Sequence, residues 1–158
     1  MPSERVAAAK PQLNLATFLP YRLSVLSNRV SDAIARQYSE RFDLSIPEWR
    51  IIAVLGQTPN LSARDVARRT AMDKVQVSRA VTSLVEARRV ARSEDSDDAR
   101  ISRLSLTAKG RAIYDEVAPL ALRLESLLLS SLSVQERATF ESLMHKLDRQ
   151  VSLLGAPE

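Results

Sequence analysis

Ser62-Ala63-Arg64-Asp65-Val66-Ala67-Arg68-Arg69-Thr70-Ala71-Met72-Asp73-Lys74-Val75-Gln76-Val77-Ser78-Arg79-Ala80-Val81 is the stretch that decides the fold. Ser62 followed three residues later by Asp65 is a capping pattern, because each side chain can satisfy the other's backbone N–H. It opens a short helix over 62–69, with Leu61 and Val66 turned inward. Thr70-Ala71-Met72 leaves a three-residue gap. Asp73 then caps a second helix that runs to about Arg88, with Val77, Ala80 or Val81, and Leu84 as its buried stripe. A short helix, a tight turn and a second helix form a helix-turn-helix candidate. Two packed helices of a bundle would give a similar pattern.

The period changes after the second helix. Val90–Arg92 and Arg103–Leu106 alternate like short strands, and Glu94–Asp98 between them is turn-prone and polar. A hairpin in that place is the wing of a winged helix. Upstream, Ser45-Ile46-Pro47-Glu48 is a second capping pattern, with Ser45 as cap and Glu48 reaching back. It opens a helix with Trp49, Ile52, Ala53 and Leu55 inward, ended by Gly56 and Pro59. Leu23, Leu26, Val30, Ile34 and Tyr38 predict one helix from about Thr17 to Arg41. Thr107 caps a long helix over 108–130, and Ser133 with Glu136 opens a last helix that ends near Leu154. The expected fold is mainly α: a winged helix-turn-helix with a small β-hairpin wing and a helical dimerisation region. Residues 1–16 are expected to be a flexible arm. Residues 17–44 and 108–158 are expected to form the helical dimerisation region, and 45–107 the DNA-binding lobe, all in one integrated domain.

Composition narrows the chemistry. The chain has 158 residues, 3 Gly and 7 Pro, which suits a helix-rich domain with few turns. It has no Cys and one His. That excludes a disulfide framework, a thiolate or multi-histidine metal centre and thiol redox sensing. No G-x-S-x-G motif or Gly-rich phosphate loop occurs, so neither an enzyme nor a cofactor is expected. Without a membrane-length apolar run or a signal core, the protein is expected to be cytoplasmic and not membrane-bound. The net charge is +4, but residues 62–111 hold 12 Lys/Arg against 7 Asp/Glu, so that segment carries all of the excess. A basic patch favours a polyanion through counterion release; a solvated helix face is the plain alternative.

On the second helix, Val75, Gln76, Ser78, Arg79, Thr82 and Ser83 fall on outward faces. Gln reads adenine edges, Arg reads guanine or clamps phosphate, and Ser78 and Thr82 suit either. Lys74 lies at the helix N-terminus, where backbone N–H groups also favour phosphate. Arg100 and Arg103 of the wing can reach phosphates or a minor groove, and Arg100 can also pair with Asp98. The DNA-binding candidates are therefore Lys74, Gln76, Ser78, Arg79, Thr82, Arg100 and Arg103. The acidic run Glu94–Asp98 lacks calcium-loop spacing and reads as a solvated tip. His145 reads as structural or exposed.

Asp98-Ala99-Arg100-Ile101-Ser102-Arg103-Leu104-Ser105-Leu106-Thr107 matches the D-x-R-x-x-x-L-x-L-T wing pattern of the MarR family of transcriptional regulators, and continues as Ala108-Lys109-Gly110. Val77-Ser78-Arg79 with Leu84 resembles that family's recognition helix, and Ile46–Ile52 its second helix. The likeness departs at Arg89, which stands where the family often has glycine. The resemblance implies a homodimer formed by the first and last two helices. It also implies a repressor that binds a pseudo-palindromic operator on double-stranded DNA. The leucines at 120, 122, 124, 127, 128, 129 and 132 cover more than one helix face, which independently favours a partner. The resemblance further implies a small-molecule effector, an aromatic carboxylate or its coenzyme A thioester. Trp49 offers a stacking wall, and Arg22, Ser27, Asn28 and Arg50 are polar ligand-binding candidates near it in sequence or on the first helix. Core packing is the plain alternative for Trp49. Two other functions fit the residues: an architectural DNA-binding protein without sequence preference, and a helical interaction module that binds no DNA.

Overall fold

Local capping sets the starts of four helices. The computed structural model describes residues 11–98 and 100–155. In chain order they form α1 (Leu19–Ala35), α2 (Ser39–Phe42), α3 (Ile46–Gln57), β1 (Leu61–Ser62), α4 (Ala63–Thr70), α5 (Lys74–Glu86), β2 (Val90–Glu94), β3 (Ser102–Leu106), α6 (Ala108–Leu129) and α7 (Val134–Leu154). Side-chain caps are in place at Ser62, Asp73, Thr107 and Ser133, and Ser62 and Ser133 form reciprocal boxes with Asp65 and Glu136. The chain divides into two compact units, Met1–Ile46 and Pro47–Glu158.

In the first unit, the single helix expected from Thr17 to Arg41 is interrupted. The amides of Gln37 and Tyr38 bond three residues back, to Ile34 and Ala35, and this tighter winding closes α1. Tyr38, buried at 1% exposure, precedes the one-turn α2, which ends at Asp43 in the left-handed region (φ 48°). Most of the expected arm, residues 1–10, lies outside the described residues; 11–14 have no regular structure and 15–17 form a turn.

In the second unit, the wing strands lie in a three-stranded antiparallel sheet of order β1-β3-β2. β1 was not expected from sequence, since two residues carry no alternation. The strands β2 and β3 are longer than their sequence patterns at the tip end. The core gathers Ile51, Ile52 and Leu55 of α3, Val66 of α4, Val77 and Leu84 of α5, Val90 and Leu104 of the wing, and Val117 of α6. Burying a side chain of this size contributes roughly 1.5–3 kcal/mol. Gly56 does not end α3, as the sequence suggested, but lies inside it. The Tyr114 ring rests on it so closely that a Cβ would stand 2.3 Å from that ring. The left-handed step after α3 falls to Asn60 instead (φ 64°).

The join between α5 and the wing explains the departure at Arg89. The amide of Arg89 bonds to the Leu84 carbonyl (2.8 Å) and that of Arg88 to the Val85 carbonyl (2.9 Å), a Schellman closure. The left-handed residue in such a closure is Arg88 (φ 57°), so the glycine-favouring position is Arg88 and not Arg89. Thr107 then grips the turn: its hydroxyl donates to the Arg88 carbonyl (2.7 Å) and its amide to the Arg89 carbonyl (3.1 Å). The same hydroxyl accepts the Gly110 amide (3.1 Å), starting α6. A Cβ on Gly110 would lie 2.0 Å from the Arg89 carbonyl oxygen.

The ends of the second unit are apolar and uncovered. Leu122, Leu127 and Leu128 of α6 are exposed, and α7 buries none of its residues. Phe140, Leu143, Leu147, Val151 and Leu154 form an exposed stripe at helical spacing. Among the described residues, no single helix is long and apolar enough to cross a membrane.

Two substitutions test the α5–wing–α6 join. Gly110→Ala is expected to cost at least about 2 kcal/mol, because the clash is with backbone. Arg88→Gly is expected to stabilise by about 0.5–1 kcal/mol, by removing left-handed strain. Urea unfolding midpoints check both.

Candidate nucleic-acid interface

The exposed face of α5 follows from its buried one. At about 100° per residue, Val77, Ala80, Val81 and Leu84 occupy one side of the helix. Lys74, Ser78, Thr82, Val75 and Arg79 then fall on one outward arc about 140° wide, and Gln76 sits at its margin. All six are exposed. Asp73 holds the start of this face by accepting the Gln76 amide (2.8 Å). Ser83, also read as outward, instead donates its hydroxyl to the buried Glu48 of α3 (2.6 Å). Glu48 is thus a tie between α3 and α5, a role the capping pattern at Ser45 did not suggest.

Val75 is the part of this face that sequence reasoning undervalued. It is 58% exposed, in a position where a core helix would carry a polar residue. Beside the face, a cleft of about 290 Å³ has Val77, Val81 and Leu104 among its lining, with Arg64, Lys74 and Arg92. Arg64 and Arg92 were not among the sequence candidates. Their periodicity marks them only as surface residues.

The wing treats its two arginines differently. Arg100 extends into solvent, with its side chain 92% exposed, and its Nε lies 3.1 Å from Asp98 Oδ1. Arg103 lies on the central strand, opposite Ser62 of β1 and Ser93 of β2. Its Nε donates to Asp95, and its Nη1 lies 3.9 Å from Asp65 Oδ2. Asp95 is therefore not a merely solvated tip residue. One of its oxygens also accepts the amides of Asp97 (2.9 Å) and Asp98 (3.1 Å). The Asp97 amide, Arg103 and the Asp98 amide hold its carboxyl below the ordinary 3.8. Asp65 is held low chiefly by the Ser62 hydroxyl, with smaller contributions from the Ser62 amide, Arg68 and Arg103.

The ligand-binding candidates fall in both units. In the first, Arg22, Ser27 and Asn28 are exposed on α1. Arg22 lines a shallow groove of about 380 Å³ with Leu19, Leu26 and Arg29. Ser27 and Asn28 lie about 140° and 120° away from Arg22, on either side of the helix. In the second unit, Trp49 and Arg50 are half-buried on α3. Trp49 stacks on Tyr114 of α6, with ring centroids 6.3 Å apart. Arg111 covers the same Tyr114 ring at 5.2 Å and donates to the Gly56 carbonyl (3.0 Å). Among the described residues, no group of three His, Cys, Asp or Glu could hold a metal ion. His145 is exposed, 3.9 Å from Glu141.

Comparison with known proteins agrees with this geometry. The sequence profile of the MarR family matches residues 42–101. An HTH-type transcriptional repressor from Mycobacterium tuberculosis is 27% identical over 131 residues, which is 82% of this chain and 91% of that protein. The structure of a MarR/EmrR family transcriptional regulator from Acinetobacter sp. ADP1 superimposes with a TM-score of 0.80 at 26% identity, over 89% of this chain and 99% of that one. Bordetella bronchiseptica BpsR, whose DNA binding is regulated by 6-hydroxynicotinic acid, shares the fold at 22% identity. Its TM-score is 0.76, over 87% of this chain and 98% of that one.

The carboxylates of the wing and α4 set an acid dependence. A carboxyl whose folded pKa is depressed adds stability above its unfolded pKa and loses it as pH falls through the folded value. Asp95→Asn is therefore expected to be less stable than the parent at pH 6, with the difference closing as pH falls through the lowered folded value of Asp95. Urea unfolding across that range measures it.

Proposed function

We propose that the chain is a transcriptional regulator of the MarR family and that it binds a pseudo-palindromic operator as a homodimer. The exposed arc of α5 beside an arginine-bearing wing carries the reading. In a dimer, the two α5 helices enter successive major grooves about 34 Å apart. Arg79 reads guanine, Gln76 reads adenine, and Val75 meets a thymine methyl. Lys74, Ser78 and Thr82 hold phosphates, and Arg100 enters the adjoining minor groove. The exposed stripe of α7 and the leucines at the end of α6 supply the dimer surface, since a monomer would leave them in water.

The proposed action is repression relieved by an effector. An effector shifts binding only if it favours one of two dimer states. The proposed class is an aromatic carboxylate or its coenzyme A thioester. The Trp49–Tyr114 stack supports an aromatic ring, and Arg50 a carboxylate. Arg22, Ser27 and Asn28 are proposed separately, as polar groups on α1 that an effector engages.

Arg79→Ala tests the assignment on a duplex selected by the parent protein from random sequence. Operator affinity is expected to fall roughly tenfold to a hundredfold, and discrimination at one base pair to relax. Full affinity with unchanged discrimination would contradict the reading. Leu143→Glu with Leu147→Glu is expected to give a monomer in analytical ultracentrifugation. A dimer surviving both substitutions would remove α7 from the interface.

A further inference from the structure

The two wing arginines differ in what they can offer to DNA, and the difference lies in their partners. Arg100 has a side chain 92% exposed, against 28% for Arg103. Arg103 sits on β3 between both neighbouring strands. Its guanidinium spans two carboxylates that organise different pieces of structure. Asp95 gathers the tip, accepting the amides of Asp97 and Asp98, and its own amide donates to the Ile101 carbonyl (3.0 Å). Asp65 closes the first turn of α4, where its carboxylate accepts the Ser62 hydroxyl (2.7 Å) and Arg68 (2.9 Å). A planar guanidinium can serve both carboxylates at once, which a lysine ammonium on its flexible stem cannot.

We propose that Arg103 is a positioning residue, not a DNA contact: it ties the wing tip, through Asp95, to the first turn of α4, through Asp65, and so fixes the angle at which Arg100 is presented. This rests on the DNA-binding reading above and replaces direct contact as the role of Arg103. The tie also uses up the positive charge of Arg103. Asp95 holds the guanidinium within the sheet, so a phosphate would have to compete with two carboxylates already in place.

The two roles give opposite outcomes. A phosphate contact needs only a cation, so Arg103→Lys would then keep affinity near the parent value. A positioning tie needs the fork, so Arg103→Lys is expected to lose about tenfold in affinity. Its salt dependence should keep the parent slope, because no phosphate contact is lost. Asp95→Asn removes a negative charge near DNA, and by charge alone would strengthen binding. The tie predicts that it weakens binding. The probe is the fluorescein-labelled duplex selected from random sequence, titrated by anisotropy at several salt concentrations. Near-parent affinity of Arg103→Lys, a slope lowered by about one, or tighter binding by Asp95→Asn would each overturn the proposal. Hydrogen exchange of residues 93–102 in the free protein tests the tie without DNA: Arg103→Lys should exchange faster there than the parent, and unchanged exchange would overturn it. If the parent shows no preference for the selected duplex over a scrambled one, the DNA reading fails, and the exchange result still decides the tie. Thermal melting of each variant separates loss of fold from loss of angle.

Discussion

The grip of Thr107 on the carbonyls of Arg88 and Arg89, with Gly110 packed against the second, is the constraint from which the rest of the reading lobe follows. The wing leaves α5 through those two residues and returns to α6 through Thr107, so both feet of the hairpin stand on the same pair of peptide groups. Thr107 acts in two directions, donating to the turn and accepting the Gly110 amide that starts α6. Lys109 adds a third hold, with its Nζ 3.1 Å from the Ala87 carbonyl. Gly110 has to lack a Cβ for the helix start to come this close. The L-T-x-x-G pattern is thus a steric and hydrogen-bonding requirement of the join. Arg88 tolerates left-handed strain in the same place, so the closure needs the conformation more than it needs glycine.

Some cations of residues 62–111 are held within the lobe, and others project from it even where, as at Arg100, a carboxylate lies beside them. Arg68 pairs with Asp65, Arg69 with the Thr58 hydroxyl, Arg111 with the Gly56 carbonyl, and Arg103 with Asp95. These cations brace the lobe. Lys74, Arg79 and Arg100 project outward on the faces that flank a duplex in the proposed complex. Segment charge therefore overstates the interface. The acidic tip helps to assign the cations by holding Arg103 back.

Sequence revealed what local chemistry decides. The caps at Ser62, Asp73, Thr107 and Ser133 are contacts over three residues, so residue type and spacing were enough to find them. The buried stripe of α5 and the exposed leucines were legible from period alone. What the sequence did not reveal has a different cause. Arg103 and Asp65 are 38 positions apart, and Gly56 meets Tyr114 across 58, so no local pattern announces either contact. The break at Tyr38 depends on backbone winding in a stretch whose apolar spacing remains helical. β1 exists because Leu61 and Ser62 lie against β3, not because they alternate. The residues read as outward on α5 are all exposed, Ser83 included, but its hydrogen bond to Glu48 in another helix was not legible.

The most direct measurement is the anisotropy titration of the purified parent protein. It compares a duplex the protein selected from random sequence with a scrambled duplex of equal length, at two salt concentrations. The account predicts a preference of about a thousandfold or more at the higher salt, with the scrambled duplex released first. Equal affinities that fade together as salt rises would contradict it, leaving the charge of this lobe without the base reading that its α5 face is proposed to perform.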